Sequence, residues 1–403
     1  MLCTTSRLAG ILVRVLLGDK NGLKRGMHFL LFKDSEERGN EMECREDFLD
    51  DSIIRGDMQG IYQLMSVWNQ LKGMSFYVTG ATGMIASYFV MFLIYLNEVW
   101  GYHIEIYAGV RSTDKARWRF GKYIDRNYFH LMSGDINKPV MIEESVHYVI
   151  HAASLASPQY YGKMPVETML PNVIGTYELL KYAAAHPLKG FLLFSSGSVY
   201  GNVGELDSIR EATVGSMDWL VPGNVYGESK RCAEALCHAY FREFEVPIKI
   251  ARIHHTYGPT MDVWNDKRVF SEFTNNILSG HNIILKSAGE DQRAFCYLQD
   301  TVSALFKILL EGMVGECYNI GNPNAYISVR KLAEILTEIF PEKNLKVEYR
   351  EREDTGYCAS SAKRLSPVNV DKLKSLGWEA EVNVEEGFTR SLNYIAKRWK
   401  GNL

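Results

Sequence analysis

Residues 75–86 constrain the fold more than any other stretch. Ser75-Phe76-Tyr77-Val78-Thr79 is a short β-rich run, and Gly80-Ala81-Thr82-Gly83-Met84-Ile85-Ala86 is a G-x-x-G-x-x-A turn. A long apolar helix pattern follows over residues 84–96. The first glycine permits a tight turn. The second lets backbone approach a pyrophosphate, and a small third residue, here Ala86, lets helix and strand pack closely. The helix N-terminus adds N–H groups and the positive end of its dipole. The turn therefore predicts a dinucleotide site with Gly80, Thr82, Gly83, Met84 and Ile85 around the phosphates.

Strand and helix patterns then alternate. Residues 104–107, 146–150, 191–194 and 248–253 are short apolar runs, and 166–185 and 229–244 carry helical patterns. Such alternation indicates βαβ units and a parallel sheet. The expected class is α/β: a Rossmann-type doubly wound parallel sheet over 74–260, with a smaller C-terminal α/β substrate-binding subdomain over 261–403. Elements are expected to cross between the two. Residues 42–73 read as a helical lead-in and 1–41 as a disordered extension, with Met42 as an alternative start. Arg14 interrupts the apolar run at 8–17, unlike the unbroken stretch of a secretory signal.

Composition narrows the classes further. The chain has 403 residues, 46% of them hydrophobic, and a formal net charge of −3. That excludes wholesale disorder and argues against a nucleic-acid partner. No uncharged apolar run is long enough to span a membrane. The 7 cysteines are scattered and never spaced as CxxC. That pattern fits a reducing cytoplasm rather than a disulfide framework or zinc ribbon. Cys232 and Cys237 read as core. His151, His254 and His255 read as polar lining, and no metal is expected.

The second strand runs into Ala108-Gly109-Val110-Arg111-Ser112. An Asp or Glu there would hold the adenosine ribose of NAD, whereas an Arg accommodates the 2′-phosphate of NADP. Arg111 also suits adenine stacking or a solvent-facing position, so NAD and NADP both stay open. Asp135, in Gly134-Asp135-Ile136, fits an acceptor for the adenine amino group and equally a turn aspartate. Ile136 and Ala152 join the cofactor side.

Tyr226 and Lys230 lie four residues apart at a helix start, which places phenol and ammonium on one face. A nearby ammonium favours the phenolate, and a phenol so tuned can take a proton from a sugar hydroxyl as hydride leaves its carbon. Ser196 closes the preceding strand, where open α/β sheets bind ligands. It is the candidate hydrogen-bond partner of the reacting oxygen, or else part of a plain Ser-Gly turn.

The glycine turn, Ser196 and Tyr226-x-x-x-Lys230 together resemble the extended short-chain dehydrogenase/reductases, in the NAD-dependent epimerase/dehydratase family of nucleotide-sugar enzymes. The resemblance runs over residues 74–398. Segments such as His151-Ala152-Ala153-Ser154-Leu155-Ala156-Ser157-Pro158, Asp266-Lys267-Arg268-Val269-Phe270 and Arg293-Ala294-Phe295 are similar to the UDP-glucuronate decarboxylases. The resemblance implies bound NAD that oxidises the sugar at C4. It places Ser154, Ser198, His255, Arg268 and Arg293 at the substrate, the two arginines facing the diphosphate. Tyr160 and Tyr161, expected in a loop, suit sugar contact or plain surface.

Departures from the pattern bear on the reaction. Ser198 stands where the decarboxylases carry a Glu, and Gly197-Ser198 where the 4,6-dehydratases carry Asp-Glu. Leu365, with Arg364 beside it, stands where the decarboxylases carry an Arg. Ser196-Gly197-Ser198 is more similar to UDP-galactose 4-epimerase. The expectation is therefore an epimerase acting through transient C4 oxidation of a UDP-linked sugar, in a cytoplasmic homodimer paired through helices 166–185 and 229–244. The alternatives are a UDP-glucuronate decarboxylase, a nucleotide-sugar dehydrogenase or reductase, and a non-catalytic NAD-sensing scaffold. Polysaccharide precursor synthesis follows by analogy.

Overall fold

The computed structural model of the chain describes residues 47–140, 142, 145–350 and 366–398. The expected extension over 1–41, Met42, Arg364 and Leu365 lie outside the described residues.

Helix α1 (Ser52–Gln63) is capped by the Asp51 carboxylate, which accepts from the Ile53 and Ile54 N–H groups. Strand β1 (Ser75–Thr79) is buried at every position, as a central strand covered on both faces must be. Gly80 then turns with φ of 62°. A Cβ there would lie 2.7 Å from Ala153 Cα, so the turn requires glycine. Helix α2 (Met84–Trp100) has no polar face over residues 86–96, all of them buried. A helix apolar all round belongs inside. It stops where Gly101 adopts a left-handed φ of 63°.

The alternation continues through β2 (Glu105–Val110), α3 (Thr113–Phe120), β3 (Phe129–Ser133), β4 (Tyr148–His151), a single turn α4 (Pro158–Tyr161), α5 (Pro165–Ala185), β5 (Gly190–Ser196), α6 (Val225–Phe244) and β6 (Ile248–Ile253). Then come β7 (Thr256–Tyr257), α7 (Val269–Leu278), β8 (Ile283–Leu285), β9 (Gln292–Ala294), β10 (Cys296–Tyr297) and α8 (Leu298–Glu311). The chain closes with β11 (Cys317–Ile320), β12 (Tyr326–Ser328), α9 (Val329–Glu338), β13 (Val347–Tyr349), α10 (Asp371–Lys374) and α11 (Val384–Arg398).

The main sheet has 7 strands in the order β11-β6-β5-β4-β1-β2-β3, and every pairing is parallel. The strand order reverses between β1 and β4. That switch point opens the crevice outside the carboxyl ends where such sheets bind ligands. Strand β11 comes from beyond residue 260 yet pairs with β6, so the C-terminal part contributes directly to the main sheet. Helix α8 also packs on it, with Phe306 stacked on Phe89 of α2 at 4.0 Å. The other short strands pair as β7 with β10, β9 with β12 and β8 with β13.

Asp57 ties the helix before the sheet to the rest. Its fully buried carboxylate accepts from the Tyr297 hydroxyl at 2.6 Å, from Arg390 at 2.7 Å and from the Tyr88 hydroxyl. Burial pushes this carboxyl up, against the pull of those donors.

Two sequence expectations are corrected. Cys232 is exposed, not core, whereas Cys237 is buried. The buried face of α6 runs through Tyr226, Ser229, Lys230, Ala233 and Cys237, and position 232 falls off that stripe. Tyr160 and Tyr161 lie in the helical turn α4 rather than a loop. No helix among the described residues is long and apolar enough to cross a membrane.

Candidate active site

A cavity of about 1230 Å³ opens over the switch point. A pocket for one small ligand spans roughly 300–1,000 Å³, so this one has room for a dinucleotide and a second ligand. The candidate site residues line it: the glycine turn, Arg111, Asp135, Ile136, Ala152, Ser154, Ser196, Ser198, Tyr226, Lys230, His255, Arg268 and Arg293. His254 lines it too, but His151, expected in the lining, is instead buried outside it against Thr79 and Pro171.

The phosphate end is built by backbone. Gly83 donates its N–H to Gly80 O at 2.8 Å and caps α2 without a side chain. A dipole end thus faces the cavity with no Cβ in front of it. Ser154 Oγ is buried without a partner among the described residues, so the wall holds an open polar position for a ligand. A dinucleotide fits these features. Asp135 Oδ1 accepts from Asn137 N–H at 3.0 Å, the Asx-turn geometry.

The catalytic end is held by β5 and α6. Tyr226 is 7% exposed. Burial pushes its phenol above the ordinary value, while hydrogen bonding with Ser196 and the charge of Arg268 pull it down. The Ser196 hydroxyl also donates to Ser198 Oγ at 3.2 Å. Tyr161 stacks on Tyr226 at 4.8 Å with the rings nearly parallel, walling one face of the phenol. Lys230 Nζ donates to Phe194 O at 2.6 Å and lies 5.9 Å from the Tyr226 ring centre. The expectation that Lys230 already lowers the Tyr226 pKa is therefore corrected: burial dominates, and the ammonium is engaged with a strand carbonyl. Asn172 of α5 donates to Ser229 Oγ at 2.9 Å and fixes α6 against its neighbour.

Burial lowers Lys230 from 10.5 to about 8, with Glu234 pulling it back up. The unfolded chain keeps the extra proton between those values, so stability rises with pH from about 8 to 10.5 and the penalty is full below pH 8. We expect Lys230→Met to abolish turnover yet to raise unfolding free energy at pH 7 by about 1–2 kcal/mol, after loss of the Phe194 hydrogen bond. Urea denaturation at pH 7 and pH 10 checks this. The variant should lose the Lys230 share of the stability rise between pH 7 and pH 10, while Lys249, which burial likewise lowers to about 8, keeps its own share.

The histidines stay neutral. Burial and the Lys230 charge lower His151 to about 3, and its ring contacts Thr79 Oγ1 at 2.9 Å and Pro171 O at 3.2 Å. Burial lowers His254 to about 4 and holds His255 well below its ordinary value. Among the described residues no cluster of three His, Cys, Asp or Glu could hold a metal.

His254 carries a consequence that sequence reasoning missed. A Cβ at Gly197 would lie 2.6 Å from its imidazole. The ring fills the space that a side chain at 197 would need, so an aspartate there requires His254 to move. No local signal marks this pairing, because β5 and β6 meet only through the sheet. Arg268 and Arg293 are not free surface arginines. Arg268 binds Asp266, with Nε to Oδ2 at 2.6 Å, and Arg293 lies 3.5 Å from Asp291.

Comparison with known proteins agrees with this geometry. Residues 76–321 match the family model described as "NAD dependent epimerase/dehydratase family". UDP-glucuronic acid decarboxylase 6 of Arabidopsis thaliana is 33% identical over 318 residues, covering 78% of this chain and 87% of the relative. Among solved structures, UDP-glucose 4-epimerase of Thermotoga maritima with UDP-glucose superposes with a TM-score of 0.69 at 24% identity, over 81% of this chain and 100% of that one. UDP-glucuronic acid 4-epimerase of Bacillus cereus, in complex with UDP-glucuronic acid and NAD, gives 0.67 at 21% identity, again over 81% and 100%. At these identities the two structures establish the fold, while the family model spans more than half of the chain. A strand–glycine–helix cradle, a Ser-Tyr-Lys constellation and these matches agree: the chain is an enzyme of the NAD-dependent epimerase/dehydratase family.

Proposed function

We propose that the chain is a nucleotide-sugar epimerase that oxidises C4 of a nucleoside-diphosphate sugar transiently and then returns the hydride to the other face. One observation carries this reading. The rim beside Tyr226 is lined by the hydroxyls of Ser196 and Ser198, 3.2 Å apart. Among the described residues, the cavity's carboxylates are Asp135, on the cofactor side, and Glu167, in the first turn of α5. Elimination of water needs a positioned acid and base, and neither 197 nor 198 supplies one.

Bound NAD supplies the hydride acceptor and later the donor. Tyr226 takes the C4 hydroxyl proton and gives it back, Ser196 holds the same oxygen, and the Lys230 ammonium favours the phenolate as it forms. Ser154 and Ser198 meet the sugar. Arg268, Arg293 and His255 meet the diphosphate, for which guanidinium forks are well suited. The UDP-linked ligands named with the two superposed epimerases support a UDP-sugar as substrate. A cytoplasmic setting is consistent with free thiols at Cys232, Cys237, Cys296 and Cys317.

Decarboxylation of UDP-glucuronate is the second reading, favoured by the 33% identity to a decarboxylase. Incubating the purified chain with UDP-, GDP-, dTDP- and CDP-sugars, with product mass and NMR, separates the two. Inverted stereochemistry at unchanged mass supports epimerisation. Carbon dioxide from UDP-glucuronate overturns it in favour of decarboxylation.

We also propose a homodimer. Helix α5 exposes Val166, Met169, Leu170, Ile174 and Tyr177, a stripe at helical spacing that a second copy would cover. Ile174→Glu is expected to convert a dimer to monomer in analytical ultracentrifugation. A wild-type monomer at micromolar concentration contradicts this.

A further inference from the structure

One polar atom on the rim beside Tyr226 has no part in the proton transfer. Strand β6 ends at Ile253, which pairs with Ser196 of β5 in the parallel register. His254 follows, and its N–H donates to Ile320 O at 3.0 Å, which holds its backbone against β11. Across from it lies Gly197, between the hydroxyls of Ser196 and Ser198. A Cβ on Gly197 would lie 2.6 Å from both Nδ1 and Cε1 of His254, and 3.1 Å from Nε2. The Nδ1 edge of the ring is thus the edge nearest Gly197, and both residues line the cavity.

The hydrogen bonds behind the ring decide which nitrogen carries the proton. Asn319 is fully buried. Its Nδ2 donates to Ile209 O at 3.2 Å and to Asn369 O at 3.0 Å. Both amide hydrogens are occupied, so the amide orientation is fixed and Oδ1 is an acceptor. That oxygen takes the Tyr200 hydroxyl at 2.6 Å. His254 Nε2 lies 3.4 Å from the same oxygen. Facing an acceptor, Nε2 carries the hydrogen. Burial lowers the imidazole to about 4, with Asn319 opposing the fall and the Arg252 charge adding to it. The ring therefore holds one proton at neutral pH, and Nδ1 is a bare acceptor. It has no hydrogen-bond partner among the described residues. The nearby hydroxyls of Ser196 and Ser198 are engaged with each other at 3.2 Å.

We propose that His254 is a specificity-determining residue of the sugar site, its Nδ1 accepting a hydrogen bond from a sugar hydroxyl other than the one that Tyr226 deprotonates. The tautomer is set from behind by Asn319. Tyr200 links that amide to Arg252 at 3.0 Å, and Arg252 to the buried Glu234 at 2.7 Å. The role rests on the nucleotide-sugar substrate proposed above, but not on which product the enzyme forms.

Equilibrium titration tests it without turnover. The NAD-loaded full-length protein carrying Tyr226→Phe, which stops epimerisation during the measurement, is titrated by calorimetry with UDP, UDP-glucose and its 2-, 3- and 6-deoxy analogues. His254→Phe keeps a ring over Gly197 but removes Nδ1. It should weaken UDP-glucose about tenfold, which corresponds to about 1.4 kcal/mol, and leave UDP within about twofold. One deoxy analogue should bind about tenfold more weakly than UDP-glucose when His254 is present, and within about twofold of it in His254→Phe. Two further variants separate this contact from the support behind the ring. The amide oxygen of an asparagine reaches the place of Nδ1, whereas the amide of a glutamine reaches that of Nε2. His254→Asn should hold UDP-glucose within about threefold of the protein with His254, and His254→Gln should behave like His254→Phe. Unchanged UDP-glucose affinity in His254→Phe, or the same discrimination among deoxy analogues with and without His254, overturns the role of His254 while the nucleotide-sugar reading stands. Binding of neither UDP nor any UDP-sugar overturns that reading and this role with it.

Discussion

Tyr226→Phe is expected to lower kcat by about 10²–10⁴-fold, the range for losing a positioned general acid–base, with binding of the sugar nucleotide changed by less than about twofold. The substitution removes one oxygen from a side chain that stays in place. The ring is 7% exposed and stacked on Tyr161, so packing is preserved. The lost atom is the one that hydrogen-bonds with Ser196. An effect on kcat at constant binding identifies an interaction made in the transition state. Steady-state kinetics and equilibrium titration of the same protein measure both numbers. A Tyr226→Phe enzyme that turns over at the wild-type rate removes the phenol from the mechanism.

Glu234→Ala should be the most destabilising of these substitutions. Glu234 accepts from Arg252 Nε at 3.0 Å and Nη2 at 2.7 Å, and from Ser195 Oγ at 2.5 Å. Burial alone would lower the Arg252 pKa, but the hydrogen bonds and charge of Glu234 outweigh it and raise it. Arg252 also donates to the Tyr200 hydroxyl at 3.0 Å, which in turn donates to Asn319 Oδ1 at 2.6 Å. Removing one partner of such a buried pair leaves an uncompensated charge and costs about 3–5 kcal/mol. Urea unfolding at pH 7 reads the loss, and a variant within about 1 kcal/mol of wild type contradicts it. Ser195 and Arg252 face each other across β5 and β6, one residue behind Ser196. The same variant should therefore lose some activity, but far less than Tyr226→Phe.

The parts legible from sequence are those in which short-range spacing carries the chemistry. The glycine turn needs contiguous residues, and its Gly80 geometry follows from them. Tyr226 and Lys230 share a helix face because four residues make about one turn. Arg111 is likewise local, because it directly follows the second strand. Contacts made by distant segments were not legible. Tyr161 lies over Tyr226 because α4 packs beside the catalytic helix. His254 reaches Gly197 because β5 and β6 pair in register. Lys230 turns to the Phe194 carbonyl, a partner that periodicity does not reveal. Asp57 looks like an ordinary helix aspartate until Tyr88, Tyr297 and Arg390 converge on it. The return of β11 to the main sheet likewise depends on the tertiary path rather than on any pattern within residues 317–320.

C4-deuterated UDP-sugars test the transient oxidation most directly. The wild-type enzyme is expected to yield a product of unchanged mass that keeps deuterium at C4 with inverted configuration, and Tyr226→Phe is expected to yield almost none. Release of carbon dioxide from UDP-glucuronate would contradict epimerisation, and an unaltered sugar with equal null activity in both proteins would contradict C4 chemistry altogether.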